Sequence, residues 1–190
     1  MKKYYHKNSP TLIYCPPKCG NVTLEFSGYF QDEEKPVKRK ILLIRDPMER
    51  FVSGYLYLLF QNKIRLKRGA KPADATLKYT REGFSLFVNE HLYYPVINRW
   101  YDTHVEPQIN FHKRYPVPLD DVELIETKNL SKLMKSLEPG WDPQILNRSQ
   151  MKFIFPNEDL FENCRYRWNS LFEDDIAHYK KLRKRLDKTS

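Results

Sequence analysis

Residues 40–55 read KILLIRDPMERFVSGY, and the fold turns on them. Lys40 to Ile44 is a short apolar run, the pattern of a strand covered on both faces, as in a parallel sheet. It stops at Arg45-Asp46-Pro47. Asp46 is a helix N-cap residue, Pro47 suits the first helical position, and Glu49 stands three residues after the cap. A helix is predicted from Pro47 to about Asn62, with Phe51, Tyr55, Leu58 and Leu59 on one face.

Upstream, Leu12-Ile13-Tyr14-Cys15 is a second buried-strand candidate, halted by Pro16-Pro17. Lys18-Cys19-Gly20 makes a turn, and a helix is expected from Asn21 to about Phe30. QDEEKPVKR (31–39) is a polar link. Downstream, Thr80 can cap a helix running towards His91. Residues 102–118, with three prolines, read as irregular. Val122 to Ile125 is a third strand candidate, Leu130 to Leu137 a helix ended by Pro139-Gly140, and Leu171 to Leu186 a last helix. Strand, loop and helix recur in order, so the expected class is α/β, a single domain over 1–190 with a central, mainly parallel sheet flanked by helices. Residues 1–10 read as a flexible start and 63–80 as a basic surface loop.

The chain has 190 residues, long enough to build a core unaided. No apolar run approaches the ~20 residues needed to cross a bilayer. The start MKKYYHKNSP has no apolar signal region, so a cytoplasmic location without a transmembrane segment is expected. Cys15, Cys19 and Cys164 match neither a closed disulfide framework nor a zinc pattern, and read as reduced thiols. With 33 basic and 24 acidic residues the chain carries +9, which favours anionic partners without choosing among nucleic acid, anionic membrane, nucleotide and sulfated or carboxylated glycan.

Two segments carry chemistry, and each follows a strand, where open α/β sheets bind ligands. In Pro16-Pro17-Lys18-Cys19-Gly20-Asn21-Val22-Thr23 a tight turn presents backbone N–H groups to an anion, Gly20 allows close approach, and Lys18 adds a full charge. The alternative is an ordinary strand-to-helix turn with a surface Lys. A nucleoside-triphosphate loop would place Gly before Lys, and none of the 6 glycines is followed by Lys. In the second segment Arg45 can fork onto a phosphate, and Ser53, two helical turns on, can offer a hydroxyl to the same anion. The alternative is Arg45 paired with Glu49.

LLIRDPMERFVSGY resembles the 3′-phosphate-binding segment of sulfotransferases that use 3′-phosphoadenosine 5′-phosphosulfate (PAPS), especially the carbohydrate (Golgi-type) branch. PPKCGNVTL is similar to that family's 5′-phosphosulfate loop. FSLFVNEHL, then DTHVEPQ (102–108), VELIETKNLSKLM and, more weakly, LNRSQMK (146–152) resemble later family segments. The resemblance covers roughly residues 11 to 186 and implies a P-loop-like sulfotransferase fold in a short soluble relative. It implies that Lys18 contacts the 5′-phosphate and the transferring sulfonate, that Cys19, Gly20, Asn21, Val22 and Thr23 cradle the 5′ end, that Arg45 and Ser53 hold the 3′-phosphate, and that Arg148 and Ser149 complete the nucleotide pocket. Val22 stands where many members carry a hydroxyl residue.

The implied function is in-line transfer of the sulfuryl group from PAPS to a hydroxyl acceptor, carbohydrate or glycoconjugate, releasing 3′,5′-adenosine bisphosphate (PAP), without a metal and without a specific nucleic-acid partner. Lys18 would stabilise the leaving phosphate and a general base would take the acceptor proton. His104, flanked by Asp102 and Glu106, matches the family segment. Its alternative is a structural histidine that orders its loop, and Glu106, Glu25 and His91 are rival bases. His6 and His178 read as surface groups. Arg65, Lys67, Arg68 and Lys71 either guide an anionic acceptor or are merely solvated, and Tyr93, Tyr94, Trp100 and Tyr101 either line a sugar platform or form core. The rival functions are an inactive nucleotide- or glycan-binding relative, a basic nucleic-acid-binding module, and an atypical nucleotide kinase.

Overall fold

A computed structural model of the chain describes residues 1–60, 80–97, 99–142 and 161–189. The chain divides into two compact units. One comprises residues 1–46, 108–150 and 177–190, and the other 47–107 and 151–176.

The first unit is built on a sheet. Its strands are β1 (Lys2–His6), β2 (Thr11–Cys15), β3 (Phe30–Gln31), β4 (Arg39–Ile44) and, late in the chain, Glu123–Glu126. The spatial order is β3-β1-β2-β4 followed by that late strand. β4 runs parallel to β2 on one side, with Ile13 opposite Ile41, and parallel to Glu123–Glu126 on the other, with Leu43 opposite Ile125. The apolar run of β4 is explained by two covered faces. Ile41 and Leu43 enter a cluster with Ile13, Leu24, Leu130, Leu133 and Met134, while Leu42 and Ile44 enter another with Val122, Leu124 and Leu182.

Two expectations are corrected here. The sheet is mixed rather than mainly parallel, because β1 pairs antiparallel with both β2 and β3. The start of the chain is not a flexible lead. A four-residue link folds β1 back on β2 as a hairpin, Tyr4, Tyr5 and His6 are buried, and the N–H groups of Asn8 and Ser9 donate to His6 Nδ1 at 3.2 and 3.0 Å. Its basic residues hid a strand whose inward side chains are aromatic.

Helix α1 (Asn21–Phe26) stops earlier than expected, where Ser27 Oγ donates back to the Leu24 carbonyl at 2.9 Å and Gly28 adopts φ +76°.

The second unit holds α2 (Pro47–Phe60) and α3 (Arg81–Leu86), the latter continued by a π-helical turn over Phe87–His91. Thr80 caps α3 as expected, its Oγ1 accepting from Gly83 N–H at 3.0 Å. A short hairpin, β5 (Tyr93–Tyr94) and β6 (Arg99–Trp100), follows. The core is aromatic. Phe51 lies within 5.4–6.4 Å, ring to ring, of Phe84, Phe87, Phe161, Trp168 and Phe172. Trp100 meets Phe172 at 5.5 Å and Tyr101 meets Phe87 at 5.3 Å, so these two aromatics help form the core.

The stretch read as irregular contains α4 (Gln108–Arg114), seven residues burying only Gln108 and Phe111, too short for a clear periodic pattern. The late strand, β7 (Glu123–Glu126), is followed by α5 (Leu130–Leu137). The last helix, α6 (Arg165–Thr189), begins six residues before its expected start because Trp168 and Phe172, one turn apart, stack at 4.8 Å. The basic stretch with Arg65, Lys67, Arg68 and Lys71 lies outside the described residues. No helix among the described residues is long and apolar enough to cross a membrane.

Candidate active site

The loop between β2 and α1 bends through two left-handed residues, Lys18 at φ +64° and Gly20 at φ +111°. Gly20 is also closely packed, since a Cβ there would lie 2.5 Å from Leu130 Cδ2 and that side chain would have to shift. For Lys18 the left-handed backbone is a cost that the surrounding structure must sustain. Part of that support comes from Arg45, at the end of β4, whose Nη1 donates to the Lys18 carbonyl at 3.0 Å. Burial, and then the neighbouring Arg45 charge, lowers the Lys18 ammonium to about 8. Two cations 27 positions apart in the chain thus converge at the carboxyl ends of adjacent parallel strands.

The rest of the loop is fixed from behind. Cys15 and Cys19 are buried thiols. Cys15 Sγ donates to Asn21 Oδ1 at 2.6 Å, and burial raises the Cys15 thiol well above its ordinary range. Cys19 Sγ donates to Oε1 of the buried Gln108 at 3.4 Å, which brings the Pro-Gln segment to the loop. Thr23 is buried, Val22 is half-buried, and α1 makes its first bond from Leu24 N–H to the Gly20 carbonyl at 3.1 Å. The helix therefore makes no use of the N–H groups of Asn21, Val22 and Thr23.

In the second unit, His104 sits in the loop before α4. Its Nδ1 is 2.5 Å from Asp102 Oδ1, which also accepts the His104 backbone N–H at 2.8 Å. An Nδ1–H given to the carboxylate leaves the lone pair on Nε2. The ring stacks on Tyr57 at 4.4 Å and its side chain is 31% exposed. Helix α2 organises this loop with one face. Arg50 Nη2 donates to the Glu106 carbonyl, Gly54 lies under the His104 carbonyl, and Tyr57 meets the His104 ring, a spacing of i, i+4, i+7. The next face carries Phe51, Tyr55 and Leu58 into the core. Ser53 is half-buried two turns into α2.

The rival bases are differently engaged. Glu25 accepts from Lys2 Nζ and from Tyr4 O–H, the latter at 2.9 Å, and the Lys2 bond first of all holds its carboxyl below the usual range. His91 is buried in the π turn, and Glu106 is buried. His6 and His178, expected at the surface, are not simple surface groups. His6 is buried, and His178 Nε2 lies 2.7 Å from His112 Nδ1. Arg148 and Ser149 lie outside the described residues.

Sequence reading overlooked Thr127, Gln108, Leu130, Gly54 and Tyr57. All five lie in or beside quoted segments, and spacing along α2 is a signal for Gly54 and Tyr57, whereas Thr127, Gln108 and Leu130 acquire their role only through contacts with the Lys18 loop.

No curated protein and no solved structure significantly matches the chain. A family model described as the sulfotransferase family matches residues 18–129. That span opens on Lys18, takes in Arg45, Ser53 and His104, and ends just beyond β7. On this match the chain belongs to the sulfotransferase family.

Proposed function

We propose that the chain transfers the sulfuryl group of PAPS to a hydroxyl on a carbohydrate or glycoconjugate and releases PAP. The observation that carries this reading is the convergence of Lys18 and Arg45 beside a left-handed loop at the ends of parallel strands. A nucleotide with phosphates at both its 5′ and 3′ positions fits such a donor set, because each cation can meet one phosphate. Lys18 and the backbone of Cys19, Gly20, Asn21, Val22 and Thr23 are assigned to the 5′ end. Arg45 is assigned to the 3′-phosphate, and family resemblance adds Ser53 and, from outside the described residues, Arg148 and Ser149.

When bound, the donor supplies an activated sulfuryl group whose leaving group is a phosphate. Lys18 holds positive charge where the leaving oxygen becomes negative. His104 takes the acceptor proton at Nε2, while Asp102 orients the ring and stabilises the imidazolium. Charge neutralisation falls to Lys18 and Arg45, so the reading calls for no metal. A cytoplasmic location belongs to the same proposal.

The test is thermal unfolding with PAP, 5′-AMP and ATP–Mg in parallel. Ligand at a hundred times its dissociation constant adds about 2.7 kcal/mol to the folded state. For a chain of this size that raises Tm by roughly 5–11 °C. A shift that requires the 3′-phosphate supports the reading. A shift with ATP–Mg and none with PAP overturns it.

A further inference from the structure

At the carboxyl end of β7 two neighbouring residues face different work. Glu126 is buried and tied three ways: Tyr179 O–H donates to it at 2.7 Å, Arg183 Nη1 at 2.6 Å and Lys128 Nζ at 2.8 Å. Burial pushes its carboxyl upward, but these bonds outweigh burial and hold it below the usual range. The strand end is thereby fixed to α6. From that anchored position Thr127 Oγ1 reaches the Ile44 carbonyl, the last of β4, at 3.1 Å and the Cys19 carbonyl at 3.4 Å. One hydroxyl proton serves two carbonyls, on the two segments that carry Arg45 and Gly20.

The consequence follows from peptide geometry. In a planar trans peptide the C=O and the following N–H point in opposite directions. Holding the Cys19 carbonyl towards Thr127 therefore turns the Gly20 N–H away from Thr127. Gly20 is left-handed and lacks a Cβ, so the Cys19–Gly20 peptide is the one in this loop with the least resistance to flipping. A flip would present a carbonyl oxygen where an anion needs a donor. The preceding carbonyl, that of Lys18, is already held by Arg45.

We propose that Thr127 is a positioning residue for the 5′-phosphate site, locking the Cys19–Gly20 peptide so that its N–H faces the anion. This rests on the PAP-binding reading above.

The test compares Thr127→Val, which keeps the β-branched shape, with Thr127→Ser, which keeps the hydroxyl. Calorimetric titration uses PAP, which carries the 5′-phosphate, and adenosine 3′-monophosphate, which lacks it. Loss of the hydroxyl should weaken PAP binding by roughly 5–20-fold in Thr127→Val, with adenosine 3′-monophosphate weakened distinctly less and Thr127→Ser close to wild type. Equal losses for both nucleotides, or none for PAP, overturn the Thr127 role while leaving the nucleotide reading intact. Wild-type chain that binds neither nucleotide overturns both. A measurement on the unaltered chain guards against a Val variant that does not fold. The Gly20 amide proton should move downfield in the NMR spectrum on addition of PAP, and a Gly20 resonance that stays put while other loop amides shift overturns the proposal.

Discussion

Arg45 donates through Nη1 to the main-chain carbonyl of Lys18 at 3.0 Å, so the residue assigned to one phosphate props the backbone of the residue assigned to the other. On the proposed assignment, that one hydrogen bond would couple the two ends of the nucleotide. Arg45→Ala should therefore cost more than a single phosphate contact. Binding of PAP should fall by about 10–100-fold, in keeping with loss of a charge-assisted bond. Binding of 5′-AMP should also weaken, though less, because the Lys18 loop loses its prop. Arg45→Lys should not restore binding, since an ammonium cannot fork. Calorimetric titration of both nucleotides checks each statement.

Burial and Arg45 lower Lys18 to about 8, and this gives a signed pH dependence. The unfolded chain keeps its Lys protonated to higher pH than the folded one. Ligand-free stability should therefore rise as pH climbs from about 8 towards the ordinary Lys range near 10.4. Affinity for PAP should run the other way, falling above pH 8 as Lys18 loses its proton. Lys18→Arg should flatten the affinity profile. Thermal melts and titrations at pH 7, 8, 9 and 10 measure both trends, and parallel slopes would contradict the assignment.

His104→Gln should lower kcat by about 10²–10⁴-fold, the usual weight of a general base. The Tm shift produced by PAP should stay as in wild type. Asp102→Asn, which leaves His104 without a carboxylate, should lower kcat in the same direction. A PAP shift lost in His104→Gln would instead mark His104 as an organiser of its loop. Steady-state sulfuryl transfer and thermal unfolding separate the two.

A Cβ on Gly54 would stand 2.1 Å from the His104 carbonyl oxygen, a backbone atom that cannot swing aside. Gly54→Ala should destabilise the chain by about 1–3 kcal/mol or more, as overpacking does, and should displace the 101–107 loop. Denaturant unfolding measures the loss. An accompanying fall in kcat with unchanged PAP binding would locate the damage in that loop.

Tyr4 is buried beside Ile13, Leu24 and Phe30, and its O–H donates to Glu25 at 2.9 Å. Tyr4→Ala should cost about 3–5 kcal/mol, the range for deleting a large aromatic from a core. A change under about 0.5 kcal/mol, the range of surface substitutions, would return the first residues to a loose start. Urea unfolding decides.

The features readable in the chain alone were those whose causes are local. KILLI is a strand because a run covered on both faces must be apolar throughout, and its alternate residues do enter opposite clusters. Asp46-Pro47 marks a helix start because Pro suits a position with no N–H to satisfy. Thr80 caps its helix by reaching a backbone N–H three residues away. Lys18 and Arg45 stood out because each follows a strand. What the tertiary structure alone decided depends on which distant segments become neighbours. The basic residues of β1 concealed an inward aromatic face that makes sense only beside β2. Gln108, Thr127 and Leu130 meet the Lys18 loop across 89, 108 and 110 positions respectively. The left-handed turn at Lys18, a residue with no intrinsic taste for it, exists because Arg45 and the packing around Gly20 hold it there. Periodicity and capping act over a few residues of chain, whereas the carbonyls of the Lys18 loop are met by Arg45 and Thr127 side chains that only folding brings within 3.5 Å.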